Sequence, residues 1–448
     1  MTNPTIAHTA GQCACGAAHG GADVRWLNAS GEQAIANGVE QALLHGMFPN
    51  APTRRNLLRA VGAGVLLEAV SSLLPFGHLA AMAQERIAPE KTSLRIGMIP
   101  ITCATPLVMA AHLGLFAKHG LASVELARTD APGPIRDKLA SGEFDLAQQV
   151  MPAPIIASMG ASAGQAPDLT NVLAIQNQHG SALVLALKHR DNRDPNNWKG
   201  MRFGIPFEQS QHALVLRYLL AEHGLDPDND VSFRVIPALD FVANLRSGNI
   251  DGFFASEPAG QRAVHEGLGF VQALSRDLMP GLPCCAFTAR ADWIRQHPNA
   301  FLAAYRAVVE AGVHLSKAQN RPGVAAILAR PQYLDQPRIV IEQVISGRYA
   351  DGLGNVLLAP DRIEFDPYPH HAMAIWLMTQ LKRWGMVRGD INYRQIAEQV
   401  MLATGAGARL AELGIAVPAQ RGAETIMGRV FDPAQPEAYI AGFKIRRV

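Results

Sequence analysis

The sequence predicts an α/β protein of two lobes with a largely helical C-terminal region. Three observations carry this reading. From residue 93 onward, short β-rich runs alternate with helical stretches, the pattern of βα units and largely parallel sheets. The alternation occurs twice, on either side of Trp198-Lys199-Gly200, and it fades after about residue 292, where helical periodicity takes over. A chain of 448 residues is also long enough for two or three domains, or for one two-lobed unit.

The first series reads as a strand at 94–99, a helix at 106–119 closed by Gly120, a strand at 123–126, a helix at 134–139 and a strand at 145–150. The second reads as a strand at 201–205, a helix at 211–223 ended by Gly224, a strand at 231–235, a helix at 241–245 and a strand at 251–255. Glycine just past a helical run is the expected stop, because it adopts the left-handed conformation without penalty. Helices follow at 300–318, 323–328, 338–346, 371–384 and 393–403. The division we expect is a leader at 1–83, a first lobe at 84–190, a second at 191–288, and a return to the first lobe with the helical region at 289–448.

Composition removes several functions. With 40 basic and 38 acidic side chains and a formal charge of +2, the chain has no basic stripe for nucleic acid. At 48% hydrophobic it can bury enough surface to offset its ordering entropy. Mean hydropathy near zero excludes a polytopic membrane protein, and only residues 60–83 form a membrane-facing stretch.

That stretch follows Thr53-Arg54-Arg55-Asn56-Leu57-Leu58-Arg59, the pattern of a twin-arginine (Tat) export signal. Glu68 and Pro75 interrupt the apolar run, which falls short of the roughly 20 apolar residues a spanning helix needs. Cleavage after Ala81-Met82-Ala83 would start the mature chain near Gln84. Residues 1–46 are either an extension or precede the true start at Met47. They hold Cys13 and Cys15 with His8 and His19 nearby, a weak pattern for a soft metal, and we assign no metal to it. Beyond the leader three cysteines remain, Cys103, Cys284 and Cys285. An odd number with an adjacent pair is no disulfide framework.

Catalytic motifs fail on context. Gly160-Ala161-Ser162-Ala163-Gly164 matches a nucleophile elbow, yet it trails a helix-like segment where a strand should stand. There is no P-loop and no H-E-x-x-H, and His370 and His371, adjacent on a helix, do not share a face. What remains is a set of polar residues at strand ends, where open α/β sheets gather ligands: Thr102, Cys103 and Thr105, Gln148 to Met151, Gln178 to Ser181, Gln209 to His212, Glu257, and the pair Cys284-Cys285. Helices open just after several of them, and free N–H groups there favour a small anion. This is a binding cleft with no nucleophile-base pair, and no cofactor is expected.

Taken together, Ile99 to Leu107 (IPITCATPL), Gly114 to Leu121 (GLFAKHGL), His212 to Tyr218 (HALVLRY), Val242 to Asp251 (VANLRSGNID) and Phe365-Asp366-Pro367-Tyr368 resemble the periplasmic solute-binding proteins of nitrate and bicarbonate ABC transporters. These belong to a larger group that includes alkanesulfonate and thiamine-pyrimidine binders. The resemblance implies a type II periplasmic binding protein fold with the ligand cleft between the lobes. It also implies a periplasmic location, an ABC permease in the inner membrane as partner, and no enzyme activity.

The same resemblance puts His212 where nitrate binders contact their ligand through a histidine. Pro132 stands in place of a walling tryptophan, Ser181 of a glutamine, Gln148 of a histidine or similar residue, and Cys285 of the lysine of nitrate binders or the glutamate of bicarbonate binders. With Thr102, Cys103, Thr105 and Glu257 these nine residues form the expected ligand site. Losing the aromatic wall and the lysine's charge implies a larger or different solute than nitrate. Each has a plainer reading: His212 as a helix-capping core histidine, Glu257 as the cap of the helix after Pro258, Cys285 as a small buried hydrophobe. The alternatives to a transport binder are a cytoplasmic ligand-sensing regulator of nitrogen metabolism, and a thiamine-pyrimidine-type binder or synthase.

Overall fold

Ten main strands build two separate sheets in this computed structural model, which describes residues 88–159 and 170–447. The leader with Arg54 and Arg55, the Cys13–Cys15 pair and the Gly160–Gly164 loop lie outside the described residues. In chain order the strands are β1 (Ser93–Met98), β2 (Ser123–Arg128), β3 (Leu146–Val150), β4 (Thr170–His179), β5 (Ser181–Ala186), β6 (Arg202–Ile205), β7 (Ser232–Val235), β8 (Gly252–Ser256), β9 (Gly269–Leu274) and β10 (Pro283–Arg290). The helices that matter here are α1 (Thr105–His112), α2 (Pro132–Ala140), α3 (Gln211–Glu222), α4 (Ala259–His265), α5 (Pro298–Ser316) and α6 (His371–Arg383).

The first sheet runs in the order Ile363–Glu364, β4, β10, β3, β1, β2, and the second in the order β7, β6, β8, β5, β9. β1 pairs in parallel with β2 and β3, and β6 with β7 and β8, as βα units require. The sheets are nonetheless mixed, which corrects the expectation of largely parallel ones. β10 is antiparallel to both β3 and β4, and β5 is antiparallel to both β8 and β9. These crossing strands escaped the sequence reading for a physical reason. All ten residues of β4 are buried, so no polar-apolar alternation marks it, and its second half is Gln-Asn-Gln-His.

The chain passes from the first sheet to the second at His179 and Gly180, with φ of 59° and 72°. A Cβ on Gly180 would stand 2.7 Å from Asn177 Nδ2 and 2.9 Å from Ile363 Cδ1, so both conformation and space require glycine. The chain returns to the first sheet between β9 and β10. The sequence had placed the corresponding limits at 190 and 288.

Helix ends follow local chemistry. The stretch read as one helix at 106–119 is α1 followed by Leu115–Lys118, broken at Gly114, whose φ is 67°. α3 starts where Ser210 Oγ accepts the Ala213 N–H at 3.2 Å. It buries every residue from Gln211 to Leu220, and each leucine so buried contributes about 1.5–3 kcal/mol. One apolar cluster packs α1 and α5 on the first sheet through Leu107, Val108, Leu173, Phe287, Ala304 and Val308. Another joins α3 and α6 through Leu216, Tyr218, Trp376 and Leu377. A small third one, with Ile99, Ile101, Ile135, Phe144 and Val150, takes in Cys103, Cys284 and Cys285. No helix among the described residues is long and apolar enough to cross a membrane.

Candidate functional site

The ends of β1 and β3 in the first sheet and of β8 in the second meet the start of α3 and the start of β10. Met151, just after β3, donates its N–H to Cys284 O at 3.0 Å and accepts that of Gln211 at 2.9 Å. This ties the N-terminus of α3 to both strands. Its polar side chains therefore point at the first residues of β10.

His212 Nε2 lies 2.9 Å from Ser181 Oγ, 3.3 Å from Ser256 Oγ and 3.2 Å from Gln211 Nε2. Its ring stands edge-on to Phe254, and Nδ1 is buried without a partner. Cys284 Sγ sits among the same groups, 3.3 Å from Cys103 Sγ, Ser256 Oγ and Gln211 Nε2, 3.4 Å from Ser181 Oγ and 4.0 Å from His212 Nε2. The sulfurs of Cys103, Cys284 and Cys285 all lie within 4.8 Å of one another. Burial opposes ionisation of Cys284, but hydrogen bonds from Cys103, Cys285 and His212 outweigh it and hold this thiol well below the usual range. Burial pushes the Cys103 and Cys285 thiols up.

Gln148 reaches this region from β3. Its Oε1 accepts the Ile99 N–H at 3.1 Å, while Nε2 is buried with no partner. Ser181 and Gln148 are at most 1% exposed, and Ser256 is 6% exposed, so the site is closed to water. Such a place suits a small ligand that accepts hydrogen bonds, because orphaned buried donors cost free energy until something pairs with them.

The nine residues expected from sequence divide into three groups. Ser181, His212, Gln148, Cys103 and Cys285 gather at the site. Thr102, Thr105 and Glu257 are buried nearby but already committed. Thr102 N–H and Oγ1 both donate to Glu257 O, at 2.8 and 3.0 Å, and Thr105 Oγ1 donates to Thr102 O at 2.6 Å. The Glu257 carboxylate pairs with the fully buried Arg362 guanidinium and accepts the Gln261 N–H at 2.9 Å, so it anchors the start of α4 and is not free for a solute. Pro132 is half-buried at the first residue of α2, whose Ile135 packs in the cluster with the three cysteines.

Ser256 and Arg362 were not among the expected residues, and Gln211 and Cys284 stood among the strand-end candidates but not among the nine. Alternation along a strand would send Cys284 and Cys285 to opposite faces. β10 carries register shifts on both sides of Cys285, and these irregularities bring both sulfurs to Cys103. No local pattern announces Ser256. It enters because β5 and β8 pair Ser181 directly with Ser256, a register invisible before the sheet is known.

Residues 87–329 match the NMT1-like family. The chain belongs to the NMT1-like family. The nitrate/nitrite binding protein NrtA of Nostoc sp. is 29% identical to it over 413 residues, covering 85% of this chain and 92% of that protein. The bicarbonate transport ATP-binding protein CmpC of Synechocystis is 31% identical over 373 residues, covering 80% of this chain but 56% of that longer protein. The crystal structure of the periplasmic nitrate-binding protein NrtA from Synechocystis superposes with a TM-score of 0.76 at 28% identity, over 80% of this chain and 100% of that one. This NMT1-like protein has the α/β periplasmic binding protein fold expected from its sequence.

Proposed function

We propose that this protein is the periplasmic solute-binding component of an ABC importer, taking a small polar anion of the nitrate, nitrite or bicarbonate class. The observation that carries the reading is the buried polar group at the start of α3, where His212 Nδ1 has no partner, together with a second unpaired buried donor, Gln148 Nε2, on β3. With its proton on Nδ1, the His212 ring presents an unpaired N–H, and the helix N-terminus adds a favourable dipole. Ligand binding then stabilises the closed arrangement by its differential affinity for it. No residue of the pocket is a lysine or arginine, which fits a solute held by neutral donors and favours one other than nitrate itself. The Arg54-Arg55 pattern supports export through the Tat translocase, and the named relatives support a membrane ABC permease and ATPase as partners. In this reading the protein binds and delivers and does not catalyse.

Calorimetric titration with nitrate, nitrite, bicarbonate, a short alkanesulfonate and a pyrimidine tests this. We expect at least one of the anions to bind, and His212→Ala to weaken it by about 1.5–3 kcal/mol, the worth of a hydrogen bond to a charged group. Binding of none of them, or unchanged affinity in the variant, overturns the reading. Recovery of uncleaved chain from the cytoplasm of the native cell would exclude transport.

A further inference from the structure

Three sulfurs and one imidazole nitrogen converge where the proposed anion site needs only neutral donors. We infer that Cys103, Cys284 and Cys285, with His212 Nε2 as fourth ligand, form a binding site for a divalent d10 cation of the zinc type. Cys3His is one of the regular tetrahedral zinc sets, with metal–sulfur bonds of about 2.3 Å and metal–nitrogen bonds of about 2.0–2.1 Å. Around one ion, such bonds hold the sulfurs about 3.8 Å apart and place the nitrogen about 3.5 Å from each sulfur. Here the sulfurs all fall within 4.8 Å of one another and Cys103 and Cys284 lie 3.3 Å apart, while His212 Nε2 is 4.0 Å from Cys284 Sγ and stands outside that group. The three sulfurs are therefore already gathered, and the imidazole must swing inward to complete the set around an ion.

The ligands stand on separate supports: the turn Thr102–Ala104 after β1, the irregular start of β10, and the first turn of α3. A second feature is independent of the sulfur spacing. Ser181 Oγ, Ser256 Oγ and Gln211 Nε2 all surround Cys284 Sγ at 3.3–3.4 Å. A neutral thiol is a weak acceptor. Gln211 Nε2 donates to this sulfur and two hydroxyls able to donate flank it, the outer support expected of a thiolate ligand, and such partners orient and tune a bound metal.

The site shares its place with the proposed solute site, and His212, Cys103 and Cys285 with it, but not its ligand. Three thiolates and a dication leave a net negative charge, so cation and anion should oppose one another there. Binding of the cation replaces thiol protons, and about one proton is released for each neutral cysteine that ligates.

The test uses the purified full chain under reducing conditions, titrated with Zn2+ in calorimetry and with Co2+ in absorption. We expect one ion per chain, a thiolate-to-cobalt charge-transfer band, and a higher melting temperature that a chelator reverses. All three should persist in Cys13→Ser/Cys15→Ser, which removes the leader's own cysteines. Binding should vanish in Cys284→Ser, while His212→Ala keeps the charge-transfer band and loses the tetrahedral cobalt spectrum. The wild-type spectrum stands even where a variant fails to fold. Absence of the charge-transfer band, binding that follows Cys13 and Cys15, or a Cys103–Cys284 disulfide in the protein as isolated each overturns the proposal. Failure of every anion in the solute panel leaves this result unaffected, so the two readings fail separately.

Discussion

Two neighbouring buried groups in this molecule treat polarity in opposite ways. Around Glu257 nearly every polar atom is spoken for. The carboxylate holds Arg362 and the Gln261 N–H, Arg362 Nη1 donates to Gln261 Oε1 at 2.7 Å, and the guanidinium lies 4.3 Å over the Tyr349 ring. Gln261 Nε2 in turn donates to Gln343 Oε1 and Ala350 O, leaving Arg362 Nε as the atom without a partner. Around His212, donors and thiols crowd together with His212 Nδ1 and Gln148 Nε2 unpaired. Charge that is fully paired fixes a structure, whereas polarity left open is available to a ligand. On this ground we propose that Glu257, the one acidic residue of the expected site, serves the frame of the protein.

The comparison breaks most easily at the pair. Glu257→Ala strands a guanidinium that is 1% exposed, and we expect a loss of about 3–5 kcal/mol in urea unfolding at pH 7. A loss under about 1 kcal/mol would return Glu257 to the list of solute ligands. Gly180→Ala comes next, because a side chain in that left-handed conformation and against Asn177 and Ile363 should cost about 1–3 kcal/mol by the same measurement. Ser256→Ala should leave folding nearly untouched while weakening whichever solute of the panel binds by about 0.5–1.5 kcal/mol. If it lowers stability and spares affinity, the His212 group is frame as well.

The smallest effect separates burial from binding. His370, which belongs to neither group, also has a buried Nδ1 without a partner, and its ring packs edge-on to Tyr368 at 4.9 Å. Burial, with Arg421 and His371 nearby, pushes its folded pKa down to about 4. The unfolded value is about 6.5, so the unfolded chain takes up this proton first. The contribution of His370 to stability is therefore complete above about pH 6.5 and is lost as pH falls toward 4. His370→Asn should flatten that part of the stability profile without changing solute affinity. A profile unchanged by the substitution would mean that His370 takes up its proton at the same pH in the folded and unfolded chain.

Much of the scaffold was legible because βα units write two periods into the sequence. Strands β1 to β3 and β6 to β8 and the helix from Gln211 fell where alternation, caps and glycine stops put them. The crossing strands did not, since β4 and β5 are buried along their whole length and turn no face to solvent. The site was half legible. His212 declares itself by opening a helix, and Ser181 by following Gly180. Cys284 and Ser256 depend on a strand irregularity and a pairing register, which are properties of two segments at once. Arg362 lies more than a hundred residues beyond Glu257, and no spacing rule links them.

The irregular start of β10 also sets how the whole strand is phased. Up to Cys285 its side chains meet the small cluster with Ile99 and Phe144; beyond it Phe287 and Ala289 join the packing under α5 while Ala286 turns to the cluster under α6. The register shifts are made against β4 alone, because β10 keeps an unbroken register with β3 from Cys285 to Ala289. Deleting Cys285 would therefore not subtract one sulfur. It would slip β10 against β3 as well, so the arrangement is heritable only as a length of strand, with side-chain identity second.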